Sequence, residues 1–215
     1  MREKVINSIV ENKIVAIIRG VESSKLVSVV EAMYEGGIRL VEVTYSANGS
    51  VSDEETAKNI ETLAKQFEGR MFIGAGTVLS EKQVELTQKA GGKFIISPDA
   101  NPLVIGKTRE LDMVSIPGAL TPTEVQSAHN AGADFVKLFP ITSLGPQYVK
   151  AVKAPLSHIK FLAVGGVDLS NMGDYLNVGI SGFGIGSNIT PKKAIDEGNF
   201  DEITALSKKY VEIVK

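Results

Sequence analysis

The sequence predicts a single-domain (β/α)8 TIM barrel spanning residues 1–215, on three observations. Eight short, apolar, β-prone runs alternate with segments of helical periodicity. The runs are nearly continuous in apolar residues, as in parallel strands buried on both faces. Short connections rich in glycine, proline and capping residues join them, with no linker or composition break. A doubly wound open sheet is the rival, and eight regular units with short loops favour closure.

The elements follow in order. Val5, Ile6, Ile9 and Val10 recur at helical spacing and predict a short leading helix over 2–12. Residues 14–20 form the first apolar run, after which Ser23 or Ser24 can cap a helix carrying Leu26, Val29, Val30 and Met33. Gly36-Gly37 stops that helix, and Leu40 to Tyr45 is the second strand. Ser52 with Glu55, Ser80 with Gln83 and Thr121 with Glu124 have capping-box spacing and open three further helices. Asn101-Pro102 pairs a cap with a first-turn proline. The remaining strands are read at 72–77, 94–98, 113–117, 135–140, 161–166 and 182–187. Helices are expected from about Pro146 and from about Ser170, the latter ending at Gly179. A last helix carries Ile203, Leu206, Tyr210 and Val214.

Composition narrows the function. The chain is 43% hydrophobic and 22% charged, with a formal net charge of -2. No basic block or aromatic-basic stripe points to nucleic acid. The absence of cysteine excludes disulfides and thiolate metal sites and fits a cytoplasmic protein. The N-terminal stretch is charged at Arg2, Glu3 and Lys4 and lacks the apolar core of a signal peptide. No apolar run approaches the ~20 residues needed to span a bilayer, so no membrane partner is expected. His129 and His158 are isolated in sequence, and a metal site needs several convergent ligands, so no metal is expected.

The run Phe135-Val136-Lys137-Leu138-Phe139-Pro140 carries the chemistry. Alternation puts Lys137 on one face with Phe135 and Phe139. Desolvation disfavours an ammonium there, and a neutral amine can attack a carbonyl. An edge-strand lysine that snorkels to water is the structural alternative. Catalytic groups of such barrels stand at the C-terminal strand ends. By the same alternation Arg19 follows Val15 and Ile17, Glu42 follows Leu40, and Thr77 follows Ile73 and Ala75. Placed inward, these residues join Lys137 in one mouth. Two glycine-rich strand ends, Val164-Gly165-Gly166 and Gly184-Ile185-Gly186-Ser187, follow strands seven and eight, where these barrels often bind phosphate.

In this order and spacing, the chain resembles the 2-keto-3-deoxy-6-phosphogluconate (KDPG) aldolase family, including its 6-phosphogalactonate branch. The resemblance rests on Ala16-Ile17-Ile18-Arg19, Val41-Glu42-Val43-Thr44, Ile73 to Val78, Ser97-Pro98, Pro117-Gly118, Phe135 to Pro140 and Ala163 to Gly166. It implies a class I aldolase that is a homotrimer and uses no metal or other cofactor. It implies that Lys137 forms an imine with pyruvate and that Glu42 shuttles protons, in part through water. Arg19 and Thr77 would hold the pyruvate carboxylate, and Pro98 and Phe139 would wall the pocket. Gly165, Gly166, Gly186 and Ser187 would receive the phosphate.

Ser46 stands where the phosphogluconate branch often has an arginine. Val164 and Leu144 to Tyr148 resemble the galactonate branch instead. The implied reaction is reversible cleavage of a phosphorylated 2-keto-3-deoxy sugar acid to pyruvate and glyceraldehyde 3-phosphate. The alternatives are cleavage of 4-hydroxy-2-oxoglutarate to pyruvate and glyoxylate, a metal-independent phosphosugar isomerase or epimerase, and a non-catalytic phosphate-ligand binder.

Overall fold

The computed structural model describes residues 1–215 and forms the barrel that the repeating pattern predicts. Parallel strands β1 (Ile14–Ile18), β2 (Leu40–Thr44), β3 (Phe72–Gly76) and β4 (Phe94–Ile96) make one half. The predicted fifth strand is two pieces, β5 (Val114–Ile116) and β6 (Gly118–Ala119), separated by Pro117. The circuit continues through β7 (Val136–Leu138), β8 (Phe161–Val164) and β9 (Gly182–Ile185), which returns to β1.

The split at Pro117 is where the ring closes. β5 pairs with β4 and β6 pairs with β7, so one strand changes partner half-way along. Proline has no N–H to continue a ladder. The Pro117 carbonyl still accepts from the Lys137 backbone N–H at 2.9 Å. Gly118 follows because the chains nearly touch there: a Cβ on it would overlap the Pro98 carbonyl.

Helices α1 (Arg2–Asn12), α2 (Ser23–Glu35), α3 (Asp53–Gln66), α4 (Glu81–Lys89), α5 (Pro102–Glu110), α6 (Pro122–Asn130), α7 (Gly145–Lys153) and α8 (Met172–Asn177) match the predicted ones. Two details differ. The residue before α2 is Glu22, and no side chain caps that helix, so neither Ser23 nor Ser24 serves as expected. After β9 the predicted last helix is α10 (Phe200–Val214), and an unpredicted short helix, α9 (Lys192–Glu197), precedes it and ends at Gly198, φ 69°. Six residues are too few for periodicity to reveal α9. Of the three capping boxes, Thr121–Glu124 is reciprocal, and Ser52 and Ser80 accept from the N–H groups of Glu55 and Gln83.

The core has two compartments. One lies between the sheet and its surrounding helices. The other fills the barrel with Val15, Leu40, Phe94, Ile96, Val114, Ile116, Phe135, Leu162 and Val164. Val5, Ile6 and Ile9 of α1 belong to this inner compartment, so α1 closes the base of the barrel. Its first residue is pinned: Arg2 Nε donates to Asp134 Oδ2 at 3.2 Å, and the same carboxylate accepts from Arg109 and from the Ser115 N–H. No helix is long and apolar enough to cross a membrane.

The plug should therefore be energetically significant. Ile9→Ala removes a fully buried side chain and is expected to lower unfolding stability by about 2–5 kcal/mol. Urea denaturation measures this, and a loss under 1 kcal/mol would show that α1 packs loosely on the base.

Candidate active site

With its base closed, the barrel opens at the C-terminal strand ends. A cavity of about 470 Å³ there is lined by Lys137, Glu42, Arg19, Phe139, Val164, Gly165, Gly166, Gly186 and Ser187. Nine of the eleven residues singled out from sequence thus converge on one space.

Lys137 is the central residue of β7, with Phe135 below it in the barrel core. It is only 7% exposed, and its Nζ lies 4.2 Å from the centroid of the Phe139 ring. Burial pulls its pKa below the ordinary lysine value, with Arg19 reinforcing and Glu42 opposing. The neutral amine that a nucleophile needs is therefore easier to reach.

Glu42 faces inward from β2 and is 2% exposed. Its Oε2 is buried without a hydrogen-bond partner. Burial pushes its pKa up to about 7, although Lys137 and Arg19 both pull it down. The carboxylate leans onto β3, where a Cβ on Gly76 would overlap Oε1. Only glycine leaves this resting place open. Sequence alternation placed Glu42 correctly, but the need for Gly76 beside it was visible only once the strands were in register.

Thr77 is not where alternation put it. The inward residues of β3 are Gly74 and Gly76, whose missing side chains leave room for Phe94 and Glu42. Ile73 and Ala75 face the helices. The face that Thr77 shares by alternation with Ile73 and Ala75 is therefore the outer one, and Thr77 itself follows the strand at a left-handed φ of 54°. It lines a neighbouring cavity with Thr44 and Ser46. Arg19 lines both cavities and stands between them. Pro98 does not line the main cavity; its carbonyl packs against Gly118. His129 and His158 pack edge to face, 5.0 Å between centroids, and neither lines the cavity.

The glycines differ in what demands them. Gly165 and Gly166 have φ of 89° and 74°, and a Cβ on Gly166 would sit 2.8 Å from Thr142 Cα. A Cβ on Gly184 would meet Val164 Cγ2 at 2.9 Å. Gly186 is otherwise: a Cβ there would meet only Ile17, at an ordinary 3.8 Å. The left-handed backbone accounts for Gly165, that backbone and packing together for Gly166, and packing for Gly184; neither accounts for Gly186, which borders the cavity.

The description "KDPG and KHG aldolase" belongs to the family model that matches residues 5–206. The chain belongs to that family. A curated relative, the probable 2-dehydro-3-deoxy-6-phosphogalactonate aldolase of Rhizobium meliloti, is 37% identical over 83% of this chain and 82% of its own. A solved structure described as native KDPGal superposes with a TM-score of 0.82 at 33% identity, covering 94% of this chain and 95% of that one. The KDPG aldolase of Legionella pneumophila, with pyruvate captured as a covalent carbinolamine, gives 0.84 at 28% identity, covering 94% and 96%.

The raised pKa of Glu42 has a stability consequence for this family member. A carboxyl whose folded pKa exceeds its ordinary value contributes stability that is intact below pH 4.5 and is lost as pH rises through about 7. The cost above pH 7 is on the order of 3 kcal/mol. Glu42→Gln cannot ionise, so its melting temperature relative to wild type should climb by roughly 5–10 °C between pH 4.5 and pH 8.5. A difference that stays flat across that range would mean Glu42 ionises as an exposed carboxyl does.

Proposed function

We propose that the protein is a class I aldolase that cleaves a 2-keto-3-deoxy-6-phospho sugar acid to pyruvate and glyceraldehyde 3-phosphate through an imine on Lys137. The observation that carries this reading is the buried lysine facing a cavity that also holds a buried carboxylate of raised pKa. A phosphate binder without turnover has no use for that pair, and an isomerase needs no imine.

Neutral Lys137 attacks the C2 carbonyl to give a carbinolamine, and the protonated Glu42 carboxyl gives its proton to the departing hydroxyl, so that water leaves, a protonated imine remains and Glu42 is ionised. A cation over the face of Phe139 is favoured by the ring quadrupole, which suits the iminium. Ionised Glu42 accepts the C4 hydroxyl proton while the C3–C4 bond breaks and its electron pair moves into the iminium as an enamine. The released aldehyde carries the phosphate. Glu42 then returns its proton to C3, and hydrolysis of the new imine frees pyruvate. A carboxyl with a pKa near 7 suits both directions of transfer. Arg19 is suited to the substrate carboxylate by its two-pronged donor geometry. The glycine-rich ends at Gly165, Gly166, Gly186 and Ser187 take the phosphate, and the room left at Gly186 supports that assignment.

The family resemblance further implies a homotrimer, and a chain without cysteine fits the cytoplasm. Leu79, after β3, and Leu103, at the start of α5, are exposed by 42% and 63%, apolar surface that a subunit contact would cover.

Borohydride reduction in the presence of pyruvate tests the imine. The adduct should map to Lys137, and Lys137→Ala should lose both labelling and turnover. Labelling of another lysine, or of none, would overturn the mechanism.

Val164 bears on which C4 epimer is preferred. Its side chain is buried at the end of β8, against the space left by Gly184. Valine offers the C4 hydroxyl no hydrogen-bond partner, whereas a threonine would. A net hydrogen bond contributes ~0.5–1.5 kcal/mol and an unsatisfied buried group costs ~1–3 kcal/mol, so preferences should be tens-fold at most. Wild type should accept the galactonate epimer at least as well as the gluconate epimer, and Val164→Thr should shift kcat/KM toward gluconate. Both epimers must be assayed on both proteins. A strong wild-type gluconate preference unmoved by the substitution would show that Val164 does not set the choice.

A further inference from the structure

Two lysines at the outer end of the cavity have no part in the steps above. Lys25 lies in the first turn of α2 and Lys192 opens α9, the helix that periodicity did not reveal. Both line the cavity that Gly165, Gly166, Gly186 and Ser187 line. Both are held by one residue. Lys25 Nζ donates to the Asp196 backbone carbonyl at 3.1 Å, and Lys192 Nζ donates to the Asp196 carboxylate at 2.6 Å. Asp196 and Glu22 also line the cavity, so the charges of these two lysines are offset by two carboxylates.

With their charges offset in this way, the two lysines add little pull of their own on a weak anion. A phosphate monoester carries about -1.5 to -2 charges at pH 7 and three strong acceptor oxygens. Exposed lysine–carboxylate pairs are weak and exchange readily, and a lysine's four-carbon stem lets its ammonium swing. A dianion entering this end can therefore compete with Asp196 for both lysines. A neutral or weakly polar tail cannot.

We propose that Lys25 and Lys192 are specificity-determining residues that bind the substrate's phosphate, and that Asp196 holds both in reserve while phosphate is absent. This rests on the reading of the glycine-rich end as the phosphate subsite. Phosphate binding exchanges the contacts to Asp196 for two charge-assisted contacts to the dianion. Lys25 reaches from α2 to α9, so the exchange also replaces a direct tie between these helices by one that runs through the ligand. Asp196 acts as an internal competitor of the same charge sign as the ligand, which sets a threshold that only a strongly anionic tail passes.

The test compares wild type, the double variant Lys25→Gln/Lys192→Gln, and Asp196→Asn. Kinetics are measured on the phosphorylated sugar acid and on unphosphorylated 4-hydroxy-2-oxoglutarate. Binding of inorganic phosphate is measured by calorimetry at low ionic strength, which needs no turnover. The double variant should raise KM for the phosphorylated substrate about tenfold with kcat changed far less, and should weaken phosphate binding by a similar factor. Its effect on the unphosphorylated substrate should be several-fold smaller. Asp196→Asn should lower KM for the phosphorylated substrate about two- to fourfold, a gain that fades as added salt screens it.

Equal damage to both substrates, unchanged phosphate binding in the double variant, or a higher KM in Asp196→Asn would each overturn the proposal. Failure of the aldolase reading is separable. If wild type neither turns over nor traps pyruvate, a tenfold loss of phosphate binding in the double variant still supports the lysines. If trapping succeeds while that binding is unmoved, the lysine proposal alone fails.

Discussion

The site depends on the removal of two opposite charges from water. Lys137 and Glu42 each lose hydration at the barrel mouth, and each has its neutral form favoured as a result. Their mutual attraction, and that of Arg19 for Glu42, pulls the other way without winning. The balance leaves a lysine that gives up its proton more easily and a carboxyl that titrates near neutrality. The architecture serves this balance. Phe135 and the inner core lie beneath the lysine, α1 keeps water from entering through the base, and Gly76 gives the carboxylate a place with no partner to satisfy it.

Glycine illustrates how packing and chemistry can be told apart. Gly74, Gly118, Gly166 and Gly184 are each crowded by a neighbouring ring, carbonyl or side chain. Gly76 is crowded too, but by a reactive group, so its smallness belongs to the chemistry as much as to the sheet. Gly186 is uncrowded and faces the cavity. A glycine in a sequence motif is ambiguous until its missing Cβ is built and its surroundings seen.

Much of the molecule was legible in the sequence. Apolar runs, caps and first-turn prolines located the strands and most helices, because each depends on local chemistry. Two-residue alternation aimed Arg19, Glu42 and Lys137 inward, because β1, β2 and β7 are regular to their ends. It failed on β3, where Ile73 and Ala75, read as inward with Thr77, face the helices and the small glycines between them face the barrel. It could not show the partner change at Pro117, which depends on what β4 and β7 present to either side. Pro98 was read as a wall and instead supports a close chain crossing, a contact between residues twenty positions apart. Lys25, Lys192 and Asp196 sit on different helices and form no motif; only the closed ring brings them to one lip.

The plug at the base has a kinetic meaning. A barrel filled by its inner core and closed at the base by Val5, Ile6 and Ile9 opens to its cavity at the opposite end. In the proposed reaction, with pyruvate bonded to Lys137 at the inner end of the cavity and the phosphorylated fragment toward the lip, the two products are queued. The aldehyde must depart first, and the keto acid follows only after hydrolysis releases it. In the synthetic direction the queue reverses: pyruvate loads before the aldehyde arrives. An aldehyde that entered first would stand between pyruvate and the lysine. The order of events thus follows from the covalent bond at the lysine and from the packed barrel interior beneath it, which α1 completes at the base.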